Sequence, residues 1–368
     1  MGSMQSQRRW GGLLVNGGLL LIILLWTIPT FGLFISSFRT REAIQTSGWW
    51  NVFPHRAYET VAVINPADMD LDPTGPMVIE GTVTTFEELR ETGITTEDGT
   101  YYKWVGNRRI GRLEIQEESW TVDWDFTLAN YRQVLSGKSF EYSRPDGTVE
   151  VIPGDDFVSA FLNSLAVAIP ATVIPILVAA FAAYGFAWMN FPGRRVLFIM
   201  VVALLVVPLQ IALVPILRDF RALGINGTFL AMWLAHTGFG LPLATYLLFN
   251  YIRGLPRETL ESAFIDGASH FTVFRRLILP LSVPALASFA IFQFLWVWND
   301  YLVALIFLGG NPETKVITQR LADIVGSRGN DWHLLTAGAF LTMLLPLIVF
   351  FSLQRFFVRG LLAGSVKG

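Results

Sequence analysis

Three aspartates that alternate along the chain have the spacing with which a calcium-binding loop begins. Carboxylates at the first, third and fifth positions of such a loop bind the ion, and Asp68, Asp70 and Asp72 match these positions. The loop also needs glycine at its sixth position and a bidentate glutamate at its twelfth, where this chain has Pro73 and Ile79. We therefore interpret the segment as a solvated acidic turn without a bound metal.

Residues that would support other catalytic chemistry are scarce. No two of the four histidines have the helical spacing of zinc ligands, and the chain has no cysteine to act as a nucleophile or metal ligand. The sequence also lacks a glycine-rich phosphate-binding loop, so we expect this chain to bind no ATP, Mg²⁺ or other cofactor. The formal net charge of −2 argues against nucleic-acid binding. The histidines are His55, His236, His270 and His333.

Four polar side chains fall within or beside long apolar stretches. Their amide and carboxylate groups could bind the hydroxyl groups of a solute such as a sugar, or they could form hydrogen bonds between helices. A charge at the centre of a bilayer costs about 2.5–3.5 kcal/mol, so we expect the one carboxylate among them to face a cavity or to lie near the outer end of its stretch. These candidate path residues are Gln210, Gln293, Asn299 and Asp300. His236 lies on another apolar stretch, and we interpret it as packed within the protein.

The elements that must position these residues are long and apolar. Hydrophobic residues make up 52% of the chain and charged residues 15%, whereas about a quarter of the residues of a soluble protein are charged. A helix that crosses a bilayer needs roughly 20 apolar residues. Six uncharged stretches are that long, and they predict an all-α polytopic membrane protein with six transmembrane helices, the fifth continuing past Asp300 towards Leu308. The stretches are residues 13–35, 157–193, 196–217, 222–252, 277–299 and 334–354.

Basic residues predict the orientation of these six helices. An even number of spans places both termini on one side, and the short segments on that side hold 11 basic residues against five on the other. Because cytoplasmic segments are the more basic ones, we expect residues 1–12, the loop 253–280 and the tail 355–368 in the cytoplasm. A cleaved signal peptide is the alternative for the first stretch, but the stretch is too long for one, and we expect residues 13–36 to remain as the first transmembrane helix.

A polar segment, residues 37–156, separates the first two predicted helices. It holds 11 basic and 21 acidic residues, and we expect residues 45–155 to form a small β-rich domain outside the membrane. Alternating apolar residues and turn signals predict strands at residues 58–64, 77–84, 101–105 and 112–124, and one or two helical turns at 86–91. Four aromatic residues could stack on a sugar, but we interpret them as domain core or as a belt at the membrane surface. They are Trp120, Trp124, Phe126 and Tyr131.

The loop 253–280 is the most informative segment. Pro256 suits the first turn of a helix, and Gly267 is placed to end it. Glu258 and Glu261 favour the positive N-terminal end of that helix. One face of the helix is small and apolar, and it could dock against a cytoplasmic partner or lie on the lipid surface. This face consists of Leu260, Ala263, Phe264 and Gly267.

The spacing within this loop resembles E-A-A-x3-G-x9-I-x-L-P, the signature of ATP-binding-cassette importer permeases. The matching residues are Glu261, Ser262 and Ala263, then Gly267, and then residues 277–280. Ser262 replaces the first alanine and Leu277 replaces the isoleucine, and both changes are conservative in size. A pattern of twenty residues in this topological position is a strong resemblance.

Further motifs resemble the maltose-permease-like subunit of the carbohydrate importers, the inner-membrane component of binding-protein-dependent transport. They are N-S-L at 163–165, Y-G-F-A at 184–187, P-L-Q at 208–210, W-N-D at 298–300 and the ending 354–368. The resemblance covers residues 157–368, which would form a five-helix permease core. The long polar segment resembles the variant of the first external loop found in α-glucoside-type permeases.

This resemblance implies the type I ABC importer permease fold and a subunit that is not itself an enzyme. Such a subunit forms half of the path for a sugar across the bacterial inner membrane, here an oligosaccharide or disaccharide of the α-glucoside, trehalose or maltose type. Its partners would be a second permease subunit, two ATPase subunits that bind ATP and Mg²⁺, and an extracytoplasmic solute-binding protein. An ion-coupled transporter, a membrane enzyme and a sensor are the alternatives, and the loop pattern favours the importer.

The resemblance also implies roles for two sets of residues. The ATPase-coupling helix would include Glu261, Ser262, Ala263, Asp266, Gly267 and Ala268. Such a helix sits in a cleft of one ATPase subunit, so closure of the ATPase dimer on ATP moves the transmembrane helices. The C-terminal tail would contact the ATPase dimer through Gly364, Ser365, Val366, Lys367 and Gly368.

Overall fold

The computed structural model describes residues 2–136, 140–143, 149–152, 156–328 and 331–363. These residues are mostly helical, and the chain divides into two compact units. The first unit comprises Met1–Arg41 and Thr127–Gly368, and the second comprises Glu42–Phe126. The second unit is therefore narrower than the polar segment 37–156.

The helices of both units are numbered in chain order. They are α1 (Gly2–Phe38), α2 (Arg41–Thr46), α3 (Phe86–Glu91), α4 (Ala129–Ser136), α5 (Phe157–Trp188), α6 (Arg194–Ala203), α7 (Leu209–Ala222), α8 (Phe229–Arg253), α9 (Arg257–Ile265), α10 (His270–Val273), α11 (Leu279–Leu281), α12 (Val283–Trp298), α13 (Leu302–Phe307), α14 (Ile317–Arg328) and α15 (Trp332–Ala363). A π-helix at Phe274–Ile278 joins α10 to α11. Short 3-10 helices lie at Trp49–Val52, Pro66–Met69 and Leu204–Val206.

Among the described residues, three helices are long and apolar enough to cross a membrane. They are residues Gly11–Phe38 of α1, the whole of α5, and residues Trp332–Phe356 of α15. Two helix pairs pass the same test together but are bent, α6 with α7 by 105° and the segment from α10 to α11 with α12 by 71°. If each bent pair is one span, the described part of the chain has five spans. Helix α8 is neither one of the three long helices nor part of a bent pair. These apolar helices fit a multi-pass membrane protein.

The third predicted helix, residues 196–217, is broken in the structure. α6 ends at Ala203, Val207 is extended, and α7 begins at Leu209. Pro208 explains the break, because it has no N–H to donate to the preceding turn and its ring disfavours the helical conformation of the residue before it. The prediction of one uninterrupted helix is wrong here.

The fifth predicted helix also differs from the structure. α12 ends at Trp298, and a separate helix, α13, begins at Leu302. The Asp300 carboxylate accepts hydrogen bonds from the backbone N–H groups of Val303 (3.4 Å) and Ala304 (3.2 Å). A carboxylate in this position caps a new helix, because it satisfies N–H groups that have no carbonyl partner in the first turn. The expected continuation of the helix past Asp300 is therefore wrong.

Small residues bring α5 and α8 close together. Ala168 and Ala171 on α5 and Ala231 and Ala235 on α8 are buried in one cluster. Small side chains allow helix backbones to approach closely, which favours association where the surrounding lipid is as apolar as leucine. Trp298 lies in the same cluster, and its indole N–H donates to the Thr342 carbonyl at 3.0 Å.

The second unit, Glu42–Phe126, contains a four-stranded antiparallel sheet. Through the whole chain the strands are β1 (His55–Ile64), β2 (Met77–Ile79), β3 (Thr82–Thr84), β4 (Ile94–Thr95), β5 (Tyr101–Gly106), β6 (Gly111–Thr121), β7 (Phe140–Ser143) and β8 (Val149–Ile152). The sheet order is β1-β6-β5-β4, and β2 with β3 and β7 with β8 form separate hairpins. The single strand predicted at 77–84 is thus a hairpin. Its turn residues Glu80 and Gly81 have φ values of 47° and 83°, as a tight two-residue turn requires.

The aromatic cluster interpreted from sequence as domain core or as a belt at the membrane surface is mostly exposed. Trp120 and Trp124 are 69% and 68% exposed, and Phe126 is 49% exposed. Tyr131 belongs to the other unit, where it packs against the buried cluster and its hydroxyl lies 2.6 Å from that of Ser37. The core interpretation is therefore wrong for the first three residues, because strand alternation places them on the solvent side or beyond the sheet.

Candidate functional site

The loop 253–280 contains α9, and the start of this helix follows from its sequence. Pro256 directly precedes the first helical residue, so its missing N–H removes a donor that would have no partner in the first turn. Glu258 lies in that turn, where its carboxylate faces the positive end of the helix dipole. The predicted start of the helix is confirmed.

The end of α9 is set by Gly267. Its N–H donates to the Phe264 carbonyl at 3.0 Å, and the N–H of Ala268 donates to the Ala263 carbonyl at 3.0 Å. These two bonds form a Schellman motif, which needs a left-handed residue after the helix, and Gly267 has φ = +80°. The glycine of the signature is therefore the residue at which the helix ends.

The two faces of α9 have different surroundings. Leu260 is buried, and Ala263 and Phe264 pack against a buried cluster formed with α8 and the segment after α9. Leu260 of the small, apolar face thus packs against the chain itself, whereas Gly267 of the same face is exposed, so docking of this face against a partner stays a prediction. The exposed face carries Glu261, Ser262, Ile265 and Asp266.

Ile265 is the residue of this loop that the sequence analysis missed. Its side chain is 86% exposed. It lies one helical turn after Glu261 and therefore on the same face of α9. A large apolar side chain surrounded by exposed polar groups is typical of a protein interface, which has an apolar centre and a polar rim. The available signal was its i+4 spacing from the glutamate of the signature.

The loop packs against α5 through aromatic side chains. The Tyr184 hydroxyl and His270 Nδ1 are hydrogen-bonded at 2.8 Å. The ring of Phe181 stacks on that of Phe274, with 4.1 Å between the centroids. A displacement of the loop would therefore be transmitted to α5 through side chains that are already in contact.

The other predicted site residues lie in separate places. Gln210 is exposed in the first turn of α7, and Gln293 is buried on α12. Asn299 donates its side-chain amide hydrogen to the Leu295 carbonyl of its own helix at 2.8 Å. The tail Gly364–Gly368 lies outside the described residues.

Gln293 connects three helices. Its amide nitrogen donates to the carbonyls of Ala171 on α5 (3.1 Å) and His236 on α8 (3.4 Å). Its amide also fills the space beside Gly240, where an added Cβ would lie 2.7 Å from Gln293 Oε1. These contacts match the alternative in which polar side chains hydrogen-bond between helices.

His236 lies against Asp300. The ring of His236 is fully buried, and its Nε2 is 3.6 Å from Asp300 Oδ2, which is too long for a hydrogen bond. Neither ring nitrogen has a hydrogen-bond partner within the described chain. The ring also meets that of Trp296 edge to face, with 5.1 Å between the centroids. His236 is packed as expected, but its acidic neighbour was not anticipated.

The described residues hold no group of three His, Asp or Glu side chains that could bind a metal ion. In the acidic turn, the Asp72 carboxylate accepts hydrogen bonds from the hydroxyl (2.7 Å) and the backbone N–H (2.9 Å) of Thr74. These bonds hold the pKa of Asp72 below its ordinary value. The carboxylate therefore closes a local turn, which is the turn that the sequence predicted for this segment.

Comparison with known proteins identifies the family. Residues 164–362 match the family described as binding-protein-dependent transport system inner membrane component. The chain is 46% identical over 384 residues to the alpha-glucoside transport system permease protein AglG of Rhizobium meliloti, with 100% of this chain and 99% of that protein covered. It is 47% identical over 358 residues to the osmoprotective compounds uptake permease protein GgtD of Synechocystis sp., with 97% and 93% covered.

A solved structure has the same fold. It is the crystal structure of a bacterial ABC transporter involved in the import of the acidic polysaccharide alginate, with a TM-score of 0.60, 16% sequence identity, and 96% of this chain and 98% of that chain covered. At this identity the likeness concerns the fold alone. The chain belongs to the inner membrane components of binding-protein-dependent transport systems and is a permease of the carbohydrate ABC importer group.

Proposed function

We propose that this chain forms half of the path by which an ATP-driven importer carries a disaccharide or short oligosaccharide across the bacterial inner membrane. The cargo would be an uncharged sugar of the α-glucoside, trehalose or maltose type. The relative named for α-glucosides supports this class over the full length of the chain. An uncharged, strongly hydrated glucoside would also fit the relative named for osmoprotective compounds.

The charge of the apolar helices favours an uncharged cargo. α5, α12 and α13 contain no lysine or arginine, and the basic residue of α8 is its last one, Arg253. An acidic saccharide would need basic partners along such a path, because an unpaired charge in a membrane interior is costly.

The exposed face of α9 is the observation that carries the proposed coupling to ATP hydrolysis. Glu261, Ser262, Ile265 and Asp266 would contact one ATPase subunit. The opposite face is anchored by Leu260, and the Tyr184–His270 hydrogen bond connects the loop to α5. The loop therefore has one side free for a partner and one side fixed to the helices that would move.

The same proposal includes the topology and the partners. Six spans would comprise α1, α5, the α6–α7 pair, α8, the bent segment that ends in α12, and α15. Both termini and α9 would be cytoplasmic, with Glu42–Phe126 outside as a β-rich domain. The partners would be a second permease, two ATPase subunits that bind ATP and Mg²⁺ and contact the tail Gly364–Gly368, and a solute-binding protein outside.

The test is the complete complex in proteoliposomes. We expect ATP turnover to rise several-fold when binding protein loaded with maltose or trehalose is supplied on the outer side, and the sugar to accumulate inside. A uronic-acid oligosaccharide serves as the charged control and should have no effect. Equal uptake without this chain, or no stimulation by any uncharged α-glucoside, would contradict the proposal.

A further inference from the structure

His236 and Asp300 form a buried pair that the proposed coupling does not use. Their closest atoms, Nε2 and Oδ2, are 3.6 Å apart, and the two side chains are 0% and 11% exposed. His236 belongs to α8, and Asp300 lies in the junction between α12 and α13. The junction is held from another side by Thr318, whose hydroxyl donates to the Asp300 carbonyl at 2.8 Å. The pair therefore joins α8 to the place where the fifth predicted helix is interrupted.

The elements packed around His236 and Asp300 place no other charged side chain beside the pair in the described chain. α5, α12 and α13 contain no Asp, Glu, Lys, Arg or His, and besides His236 α8 has only Arg253, at its far end. In α14, Arg320 Nη1 and Asp323 Oδ2 lie 3.8 Å apart and form an ion pair with each other. The charged residues of α7 are exposed near its C-terminal end; they are Arg218, Asp219 and Arg221. Asp300 is thus the ionisable group that faces His236 in the described chain.

One proton would change this contact. Both buried ring nitrogens of His236 lack a hydrogen-bond partner in the described part of the chain, which is unfavourable away from water. A neutral ring carries a hydrogen on one of its two nitrogens, whereas a protonated ring carries one on each and adds a positive charge opposite the Asp300 carboxylate. Closure of the gap by roughly 0.8 Å would then form a charge-assisted hydrogen bond.

We propose that His236 and Asp300 form a latch between α8 and the α12–α13 junction, that a bound proton tightens it, and that each transport cycle opens it. The inference rests on the proposed function, because it assumes that these helices separate during transport. Neither residue needs to touch the sugar, so both are positioning residues. Since protonation strengthens the closed latch, opening slows as the pH falls and the ring binds its proton.

The first test compares pH profiles of sugar-stimulated ATP turnover in the complete complex. In the wild-type complex we expect sugar-stimulated ATP turnover to fall by about threefold or more between pH 8 and 5.5. His236→Gln should make this fall in turnover smaller. Asp300→Asn should do the same while retaining an oxygen that can cap α13. His55→Gln is the matched control, because His55 lies 3.9 Å from Asp123 in the second unit, and it should keep the wild-type profile.

The second test does not depend on ATP turnover. The chain has no cysteine, so Thr237→Cys introduces a single thiol beside His236. We expect maleimide to label this thiol more slowly at acid pH than thiol ionisation explains, and His236→Gln in the same chain to remove the excess.

The outcomes separate the two proposals. The latch would be overturned if labelling of the Thr237→Cys thiol had the same pH dependence with and without His236→Gln. An unchanged pH profile of ATP turnover in His236→Gln would overturn it as well. Absence of sugar-stimulated turnover in the wild-type complex at every pH would contradict the proposed function instead, and the labelling experiment would still decide about the latch.

Discussion

The coupling loop and the polar cluster of His236, Gln293 and Asp300 depend on different kinds of sequence information. In the loop, the bonds that shape the chain join near neighbours, as when Gly267 donates to Phe264. In the cluster, Gln293 reaches the carbonyls of His236 and Ala171, which are 57 and 122 positions away. Local bonds fix the shape of the loop, whereas the cluster exists only once three helices have packed together.

The comparison also separates two effects of mutation. A change on the exposed face of α9 should alter coupling without altering stability. A change in the cluster should alter the packing of α5, α8 and α12 and therefore the stability of the whole helical unit. The following predictions test this separation, from the largest expected effect to the smallest.

Leu260→Asp should have the largest effect, although it lies in the loop. Leu260 is 1% exposed, and an uncompensated carboxylate in its place should cost about 3–5 kcal/mol. The measurement is the temperature at which the detergent-solubilised complex loses its size-exclusion peak. Thr259→Asp is the control on the same helix, because Thr259 is exposed and its replacement should leave that temperature nearly unchanged. Equal stability of the two variants would mean that the inner face of α9 is not buried.

Gly240→Ala should destabilise the cluster. The added methyl group would lie 2.7 Å from Gln293 Oε1, and forced overpacking of a well-packed core costs about 1–3 kcal/mol. Gly238→Ala is the control two residues earlier on α8, where a Cβ meets nothing within 4 Å. Thermal unfolding of both variants, with and without Gln293→Ala, measures the effect. If Gln293→Ala fails to relieve the damage, the proposed close approach is not its cause.

Gly267→Ala should have a smaller effect on stability and a clear effect on coupling. An alanine at φ = +80° costs about 1–2 kcal/mol, because its Cβ meets the following carbonyl. Gly224→Ala imposes similar strain at φ = +69° in another loop, and beyond the adjoining backbone an added Cβ meets nothing within 4 Å at either glycine. Both variants should lose similar stability, but stimulated ATP turnover should fall only in Gly267→Ala. A parallel loss of turnover in Gly224→Ala would show that strain alone, rather than loop position, reduces activity.

The sequence predicted well the features that depend on neighbouring residues. Pro256 and Gly267 predicted the ends of α9, and apolar stretches predicted the parts of α1, α5 and α15 that are long and apolar enough to cross a membrane, with each end within five residues. Pro208 carried a signal that was not used, since the residue before a proline leaves the helical conformation. The break in the third predicted helix could therefore have been anticipated.

The features that depend on packing could not be read from the sequence. The face of α9 that becomes buried depends on where α8 and the segment after α9 lie, so Ile265 could not be distinguished from Leu260 by residue type. The same limitation applies to Asp300, whose contact with His236 exists only because the chain turns between α12 and α13.

The most direct test of the central claim compares Ile265→Asp with Ile110→Asp. The two isoleucines are 86% and 83% exposed, so neither substitution removes buried packing. We expect Ile265→Asp to lower sugar-stimulated ATP turnover by about tenfold or more, as loss of an interface anchor does, while the chain stays as stable as wild type. Ile110→Asp should keep turnover within about twofold of wild type, because Ile110 lies in the other compact unit. Equal turnover in the two variants would contradict the assignment of the exposed face of α9 as the surface that couples this permease to ATP hydrolysis.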